Sequence, residues 1–150
     1  MSTDLQWLLI RVRSIALKYN SFLVKKVPEG PTFSREPGNL LNLHSHKYSG
    51  LANAKTIDIQ NSESGLQITT KKSKASSHAV RPARTTSAVR NRSGGRRSLG
   101  VVASLAKKGY RPDLRAAALG RTSALLATQK EKKASPPKKV RGKKAAASTA

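Results

Sequence analysis

The first 25 residues carry apolar side chains at helical spacing. The positions three and four apart that form this stripe are Leu5, Leu8, Leu9, Val12, Ala16, Tyr19 and Leu23. Arg11, Arg13 and Lys18 lie off the stripe, which is typical of an amphipathic basic helix. Trp7 and residues 22–24 would equally suit buried strands. The pattern alone therefore leaves helix and strand open.

Turn-forming residues dominate the chain from residue 27. They recur at close intervals as Pro28, Gly30, Pro31, Pro37 and Gly38. These breakers exclude a long helix, although residues 39–43 could form one short helical turn. Residues 56–59 and 66–69 alternate between apolar and polar positions on either side of a polar stretch at 61–65. This alternation predicts a β-hairpin.

The C-terminal half shows two helical patterns. The first is predicted to begin near Ser98 and to stop at Gly109. Its apolar face is formed by Val101, Val102, Leu105 and Ala106. The second begins at Pro112 and Asp113, which suit a first helical turn, and continues to about Lys130. Its leucines project to one side, predicted to pack against protein, and its small residues, including Gly120, to the other.

Two segments lack the apolar residues of a folded unit. Residues 73–97 are rich in Lys, Arg, Ser, Thr and Ala, which predicts an extended basic strap that is mobile in the free protein. Residues 131–150 are Lys, Ala, Pro and Ser, which predicts a disordered cationic tail. The expected fold class is α+β: a small antiparallel β-sheet domain at 1–72, the strap, two C-terminal helices at 98–130, and the tail.

Positive charge is distributed very unevenly along the 150 residues. Residues 1–70 contain 8 Lys and Arg against 5 Asp and Glu, whereas residues 71–150 contain 22 against 2, and the whole chain carries +23. Such a surface repels itself unless a polyanion neutralises it. About seventy residues bury only roughly 60% of their unfolded surface, so the first domain also gains from a partner. Nucleic acid is the expected partner.

The residues that support catalysis or metal binding are mostly missing. The chain has no Cys, which excludes disulfides, thiol catalysis and Cys-ligated zinc. His44-Ser45-His46 lacks nearby carboxylates, so a solvated or RNA-contacting pair is the favoured interpretation over a metal site. His78 in its Ser-rich segment has no carboxylate to orient it. We expect no enzyme activity, cofactor, metal or small-molecule substrate, and no apolar run is long enough for a membrane span.

The basic side chains of the C-terminal half are the candidate binding residues. Arginine predominates in the strap, and its planar guanidinium makes bidentate contacts with phosphate and stacks on exposed bases. Glycines at 94 and 95 would let neighbouring arginines approach RNA. The candidate RNA-binding residues are Arg81, Arg84, Arg90, Arg92, Arg96, Arg97, Lys107, Lys108, Arg111, Arg115 and Arg121.

Several short blocks along the chain match one family in order. They are Leu5-Gln6-Trp7, residues 20–26 (NSFLVKK), residues 33–40 (FSREPGNL), residues 47–53 (KYSGLAN), residues 110–115 (YRPDLR) and residues 123–126 (SALL). With these blocks the chain resembles the eukaryote-specific large-subunit ribosomal protein family numbered twenty-eight. The strap and tail match in composition only.

The resemblance implies a structural constituent of the large subunit of the cytosolic ribosome that binds ribosomal RNA. It also implies possible contacts with neighbouring ribosomal proteins, passage through the nucleolus during assembly, and no catalytic residue. In the family, a strand bearing the tryptophan runs almost directly into the Asn-Ser-Phe strand. Here Val12 to Tyr19 intervene. Either a longer connection bulges from the sheet, or the segment reflects an unusual gene model.

Two other functions fit parts of the chain. Pro136-Pro137-Lys138-Lys139 in a Lys/Ala tail resembles a linker-histone tail, which favours a DNA-binding chromatin protein. A winged-helix module would, however, need three helices where residues 27–70 are rich in turns. The amphipathic, basic N-terminal segment alternatively resembles a presequence, which favours a mitochondrial nucleic-acid-binding protein, although Asp4 is atypical there.

Overall fold

The computed structural model describes residues 2–16, 23–26, 29–76, 79–107, 109–130 and 134. Its helices and strands, in chain order, are α1 (Thr3–Ala16), β1 (Leu23–Lys26), β2 (Thr32–Ser34), β3 (Ile57–Ser62), β4 (Gly65–Lys71), β5 (Arg84–Arg90), α2 (Gly95–Lys107) and α3 (Arg115–Gln129). Single 3-10 turns occur at His46–Tyr48 and Pro112–Leu114. The α+β class predicted from the sequence is confirmed.

The N-terminal segment is a helix, so the strand that the resemblance implied for Trp7 is wrong. Ser2 begins the helix, because its hydroxyl accepts a hydrogen bond from the Asp4 N–H at 3.3 Å. Asp4 in the first turn complements the helix dipole. The Trp7 ring lies tilted against His44 and stacked on His46, with ring centroids 4.8 and 5.8 Å apart. These contacts hold α1 against the loop that contains both histidines.

The predicted hairpin forms between β3 and β4. The strands are antiparallel, with Ile59 opposite Ile68 and Ser62 opposite Gly65, so only two residues make the turn. Gly65 is required there because a Cβ atom would lie 2.1 Å from the carbonyl oxygen of Val89, which passes directly beside it. The absence of a side chain at Gly65 therefore allows a third strand to lie beside the hairpin.

That third strand is β5, in a region where the sequence predicted an unfolded strap. β5 pairs antiparallel with β4, with Leu66 opposite Val89 and Lys71 opposite Arg84. Val89 and the preceding Ala83 are buried, and the remaining β5 side chains are exposed. Backbone pairing with β4 compensates for the scarcity of apolar side chains. The sheet thus extends past residue 72, and α2 begins at Gly95, earlier than the Ser98 predicted.

The helices cover one face of the three-stranded sheet. Ile57, Ile59, Leu66, Ile68 and Val89 project from this face and are buried. The helices contribute Val102, Leu114 and Ala118 to the same core. Burying each large aliphatic side chain stabilises the fold by about 1.5–3 kcal/mol. The predicted apolar face of α2 and the inward leucine side of α3 are therefore confirmed.

The predicted stop of the first C-terminal helix at Gly109 agrees with the structure, in which α2 ends at Lys107. Gly109 has φ +75, the left-handed conformation expected of a residue that terminates a helix. On the outward side of α3, Ala116, Gly120 and Ser123 are exposed, and nothing lies within 4 Å of a Cβ placed at Gly120. The small side of α3 is therefore open.

Residues 34–53 form a loop held by buried polar groups. The Glu36 carboxylate accepts hydrogen bonds from the Ser49 hydroxyl and, at 2.8 Å, from the Leu51 N–H. The Asn53 amide donates to the carbonyl oxygens of His46 and Ser49 at 2.7 and 2.8 Å. These bonds satisfy backbone groups that no strand or helix could satisfy.

The predicted helical turn at residues 39–43 is wrong. Asn42 has φ +56, which interrupts a right-handed helix, and Asn39 instead donates its amide to the Leu43 carbonyl at 2.7 Å. The only turn of helix in this loop is at His46–Tyr48. The predicted disordered tail lies outside the described residues, apart from Ala134.

Tyr110 and Arg121 make long-range polar contacts that join the C-terminal segment to the sheet. The Tyr110 hydroxyl accepts from the Thr56 N–H at 3.0 Å and donates to the Lys71 carbonyl. Burial raises the pKa of Tyr110. Arg121 on α3 donates through Nε to the Ile59 carbonyl at 2.8 Å and through Nη1 to the Leu40 carbonyl at 3.0 Å. Arg121 therefore fastens α3 to both the sheet and the loop.

Replacing Arg121 tests this fastening. In Arg121→Lys, a single ammonium cannot reproduce the two-pronged contact of a guanidinium with the carbonyl groups of Ile59 and Leu40. We expect the free energy of unfolding to fall by about 1.5–3 kcal/mol in urea titrations. The matched control Arg115→Lys, on an exposed position of the same helix, should change it by about 0.5 kcal/mol or less. Equal effects of the two substitutions would contradict the fastening role.

The docking of α1 should depend on pH. Burial lowers the pKa of His44 from its ordinary value of 6.5, nearby Arg11 lowers it further, and Glu36 opposes both. Because the folded state disfavours protonation, the stability from neutral His44 is present above 6.5 and lost as pH falls through the lower folded value. Asp4, 3.7 Å from His46 Nδ1, is the other charge beside this stack.

Fluorescence of Trp7, the only tryptophan in the chain, reports on this contact. We expect its emission to shift to longer wavelength as pH is lowered from 7.5 to about 5. A His44→Gln variant should remove most of that shift. A pH profile unchanged in the variant would show that another group controls the docking.

Candidate nucleic-acid interface

Exposed arginines follow β5 and continue into the first turn of α2. We call this the β5–α2 surface, formed by Arg84, Arg90, Arg92, Arg96 and Arg97. Arg84 and Arg90 lie on the sheet face opposite the helices, because Val89 between them points into the core. β5 is the last strand of its sheet, so it has a strand neighbour on one side only. The sequence prediction thus identified arginines that the fold gathers on one edge.

A groove of about 700 Å³ lies between β5 and α2. It is bordered by Arg90, Arg92 and Arg97, with Val89 and Val101 at its apolar side. The turn between the two elements is fixed, since the Asn91 side-chain amide donates to the Glu63 carbonyl and the Ser93 N–H donates to the Arg90 carbonyl. The arginines that border the groove therefore project from a held backbone.

The start of α2 adds partial positive charge to this groove. The Arg97 and Ser98 N–H groups donate to the Gly94 carbonyl, at 3.0 and 3.2 Å. The first turn contains no acidic residue. The unpaired N–H groups of a helix N-terminus favour anions. Glycines 94 and 95 thus form a helix start rather than a phosphate-cradling loop of the P-loop kind.

No carboxylate neutralises the β5–α2 surface in the part of the chain that the structure describes. The ion pairs found there join His46 to Asp4 and Arg111 to Asp113. Neither pair involves an arginine of β5 or α2. The surface can therefore attract phosphate groups without first breaking an internal ion pair.

Two of the predicted RNA-binding arginines are used inside the fold. Arg111 donates to both Asp113 oxygens, at 2.8 and 2.7 Å, and to the carbonyl oxygens of Lys55 and Lys47. These hydrogen bonds are the main reason that the pKa of Asp113 is lowered. The Arg111 side chain is only 15% exposed. Arg121 is committed in the same way to Ile59 and Leu40, so neither lies with the β5–α2 arginines.

The remaining candidate residues lie apart from the groove. Arg81 is exposed in the turn that precedes β5, and its carbonyl accepts the Arg84 N–H at 3.0 Å. Arg115 is exposed at the start of α3. The side chains of Lys107 and Lys108 are outside the described part of the molecule, as is His78.

The paired histidines, for which the sequence predicted contact with solvent or RNA, pack against α1. His44 and His46 are half-buried against Trp7, and the Nε2 atom of each is buried without a hydrogen-bond partner among the described residues. Within the same residues, no group of three or more His, Cys, Asp or Glu side chains could hold a metal ion. Helices long and apolar enough to cross a membrane are likewise missing from the described ranges.

Sequence reasoning missed the internal use of arginine and the buried Glu36. Arg111 has one partner nearby in sequence, Asp113, but its contact with the Lys55 carbonyl and the contact of Arg121 with the Ile59 carbonyl are long-range. Glu36 carried a usable signal, because an acid immediately before Pro37, Gly38 and Asn39 in a strongly basic chain suggests a turn-stabilising role. Its partners Ser49 and Leu51 lie too far along the chain to be paired by pattern.

Comparison with known proteins gives a match over nearly the whole chain. A family model described as the Ribosomal L28e protein family matches residues 5–144. Large ribosomal subunit protein eL28 of Dictyostelium discoideum is 42% identical over 123 residues, covering 81% of this chain and 83% of the relative. The protein of that name from Schizosaccharomyces pombe is 34% identical over 138 residues, covering 89% and 96%.

Proposed function

Because the chain belongs to the Ribosomal L28e protein family, we propose that it is a structural constituent of the large ribosomal subunit that binds ribosomal RNA through its β5–α2 surface. The relatives from Dictyostelium discoideum and Schizosaccharomyces pombe are both named as large ribosomal subunit proteins. The family consists of ribosomal structural proteins and not of enzymes. In this proposal the protein acts by placing positive charge against ribosomal RNA and not by catalysing a reaction.

The observation that carries the RNA proposal is the uncompensated β5–α2 surface. Three of its arginines, Arg90, Arg92 and Arg97, border a groove of about 700 Å³, and none of its arginines has a carboxylate partner among the described residues. Phosphates of a folded RNA would supply the missing negative charge, with bidentate guanidinium contacts setting the orientation. Contacts with phosphate do not depend on the identity of the bases. RNA shape would therefore determine most of the fit along this surface.

Additional contacts extend the interface. Arg81 and Arg115 would reach phosphates beside the groove, with Lys107 and Lys108 as further contacts. The small outward side of α3 around Gly120 would allow close approach of an RNA backbone. On α1, Leu5, Leu8 and Leu9 are 49, 51 and 56% exposed, which suits contact with a neighbouring ribosomal protein.

The same proposal places the protein in the cytosolic ribosome, after passage through the nucleolus during assembly. The family match favours this over a chromatin protein, since the shared region includes the sheet as well as the basic segments. It also favours this over a mitochondrial protein with a presequence. The match begins at residue 5, so α1 lies within the family region, whereas a presequence is removed from the mature protein.

The salt dependence of RNA binding tests the β5–α2 surface. Each phosphate contact contributes about 0.7–0.9 to the slope of log affinity against log salt. Replacing Arg90, Arg92 and Arg97 by Gln should therefore lower the slope by about 2–3 for binding to a large-subunit RNA fragment. Affinity can be measured by filter binding or fluorescence anisotropy across a series of salt concentrations.

A control variant with the same change in net charge shows whether the location of the substituted residues matters or only the total charge. Arg11, Arg35 and Lys130 are exposed and lie outside the β5–α2 surface, so their replacement by Gln should leave most of the slope intact. In cells, the β5–α2 variant should also lose to wild type in competition for incorporation into large subunits. Equal slopes and equal incorporation for the two triple variants would refute the assignment.

A further inference from the structure

A second pocket lies on the sheet face opposite the helices. Its volume is about 220 Å³, and its floor includes Asp58, Thr69 and Lys71. Asp58 is opposite Thr69 in the β3–β4 pairing, and Lys71 is opposite Arg84 in the β4–β5 pairing. Val80, in the turn before β5, lines the pocket and is 67% exposed. A polar floor and an apolar border thus surround one small cavity.

The opposite border requires glycine. Gly38 and Gly50 line the pocket, and a Cβ atom on Gly50 would lie 2.1 Å from the Pro37 carbonyl oxygen. Gly38 has φ +82, a conformation that L side chains rarely adopt. The two segments therefore approach each other as bare backbone, and the held loop at 34–53 keeps this border in place.

Asp58 is the exceptional residue in this pocket. Asp58 is the one acidic side chain among the residues that line the pocket, and within the described residues it is in no ion pair. Its Oδ2 accepts a hydrogen bond from the Gln60 amide at 2.8 Å, while Oδ1 accepts none from the described residues. A carboxylate in this position repels phosphate. It is therefore suited to accept hydrogen bonds from N–H groups of a ligand.

We propose that this pocket binds one guanine base extruded from the RNA, with Asp58 accepting hydrogen bonds from its Watson–Crick edge. Guanine presents N1–H and the N2 amino group side by side, which matches a carboxylate acceptor. Its neighbouring O6 is an acceptor, for which Lys71 and Arg84 supply positive donors at the same pocket. Proteins commonly read single-stranded RNA through the Watson–Crick edges of unstacked bases.

The other bases match this arrangement less well. Cytosine and adenine each present one amino group beside a ring nitrogen that accepts, and that nitrogen would face the carboxylate. Uracil presents one N–H between two carbonyl oxygens, both of which Asp58 would repel. Guanine alone offers two adjacent donors followed by an acceptor. The order carboxylate then cation across the pocket floor corresponds to that order.

The size of the pocket agrees with a single base. Sites for drug-sized ligands measure about 300–1,000 Å³, whereas this cavity of about 220 Å³ is smaller. Leu51 and Val80 at its border offer apolar contact to the faces of a planar ring. Arg84 belongs both to this pocket and to the β5–α2 surface. An RNA strand along that surface could therefore place one base in the pocket while its phosphates meet the arginines.

The proposal rests on RNA as the partner and is tested with the full-length protein. The probes are the trinucleotides 5′-AGA-3′ and 5′-AIA-3′, in which inosine lacks only the N2 amino group of guanine. Amide shifts of Gly38 and Thr69 in an NMR titration give the dissociation constants. For wild type, the inosine probe should bind about ten- to a hundredfold more weakly, the effect of one hydrogen bond to a charged group.

Asp58→Asn should bring the two affinities to within about twofold, since the lost bond is the one that requires the carboxylate. The control Glu63→Gln, which removes an equal charge from the exposed β3–β4 turn, should retain the discrimination. The salt slope for the long RNA fragment, measured on Asp58→Asn, should keep most of its wild-type value. A reduced slope in the Arg90, Arg92 and Arg97 variant alone would then test RNA binding separately from base recognition.

Three outcomes would overturn the guanine site. They are equal binding of the two probes to wild type, discrimination that persists in Asp58→Asn, and titration shifts that avoid Gly38 and Thr69. The first and third leave the phosphate-binding surface unaffected, because its own test depends on Arg90, Arg92 and Arg97. If the slope of log affinity against log salt is lost in every variant, RNA binding itself is refuted.

Discussion

The imbalance between 30 basic and 7 acidic residues is the constraint on which this structure depends. Most cationic side chains cannot find a carboxylate, so the fold uses backbone carbonyl oxygens in their place. Arg111 and Arg121 together donate to the carbonyl groups of Lys47, Lys55, Leu40 and Ile59. These hydrogen bonds fasten the C-terminal helices to the loop and the sheet. The other arginines whose side chains the structure describes are exposed, and none of them has a carboxylate partner among the described residues.

The sheet separates the arginines that are bonded within the fold from the arginines that are exposed. Its inner face, with Ile57, Ile59 and Ile68, is covered by α2 and α3, while its outer face is polar. β5 links the two, because Val89 joins the core as Arg84 and Arg90 turn outward. The pairing of β5 with β4 therefore both completes the core and sets the arginines at a fixed spacing. The proposed phosphate contacts and the proposed base site share this strand at Arg84.

Local patterns predicted the elements whose residues interact with near neighbours in sequence. The β3–β4 hairpin and both C-terminal helices follow from periodicity, capping and turn residues, and all three are present. β5 could not be predicted in this way, because its stability comes from pairing Val89 with Leu66 rather than from its own composition. Most candidate arginines are exposed as expected, whereas Arg111 is paired with nearby Asp113, and both Arg111 and Arg121 donate to carbonyl groups far away in sequence. Trp7 was placed on a strand by resemblance, although Ser2 and Asp4 supply a helix start.

Arginine modification by phenylglyoxal, mapped by mass spectrometry, distinguishes most directly the arginines bonded within the fold from the exposed ones. It compares the free protein with the same protein in purified large subunits. Arg90, Arg92 and Arg97 should react rapidly in the free protein and be protected in the subunit, because phosphates then occupy their donors. Arg111 and Arg121 should react slowly in both states, since their donors are already bonded within the fold. Equal reactivity of Arg90, Arg92 and Arg97 in both states, or rapid reaction of Arg121 in the free protein, would contradict the account.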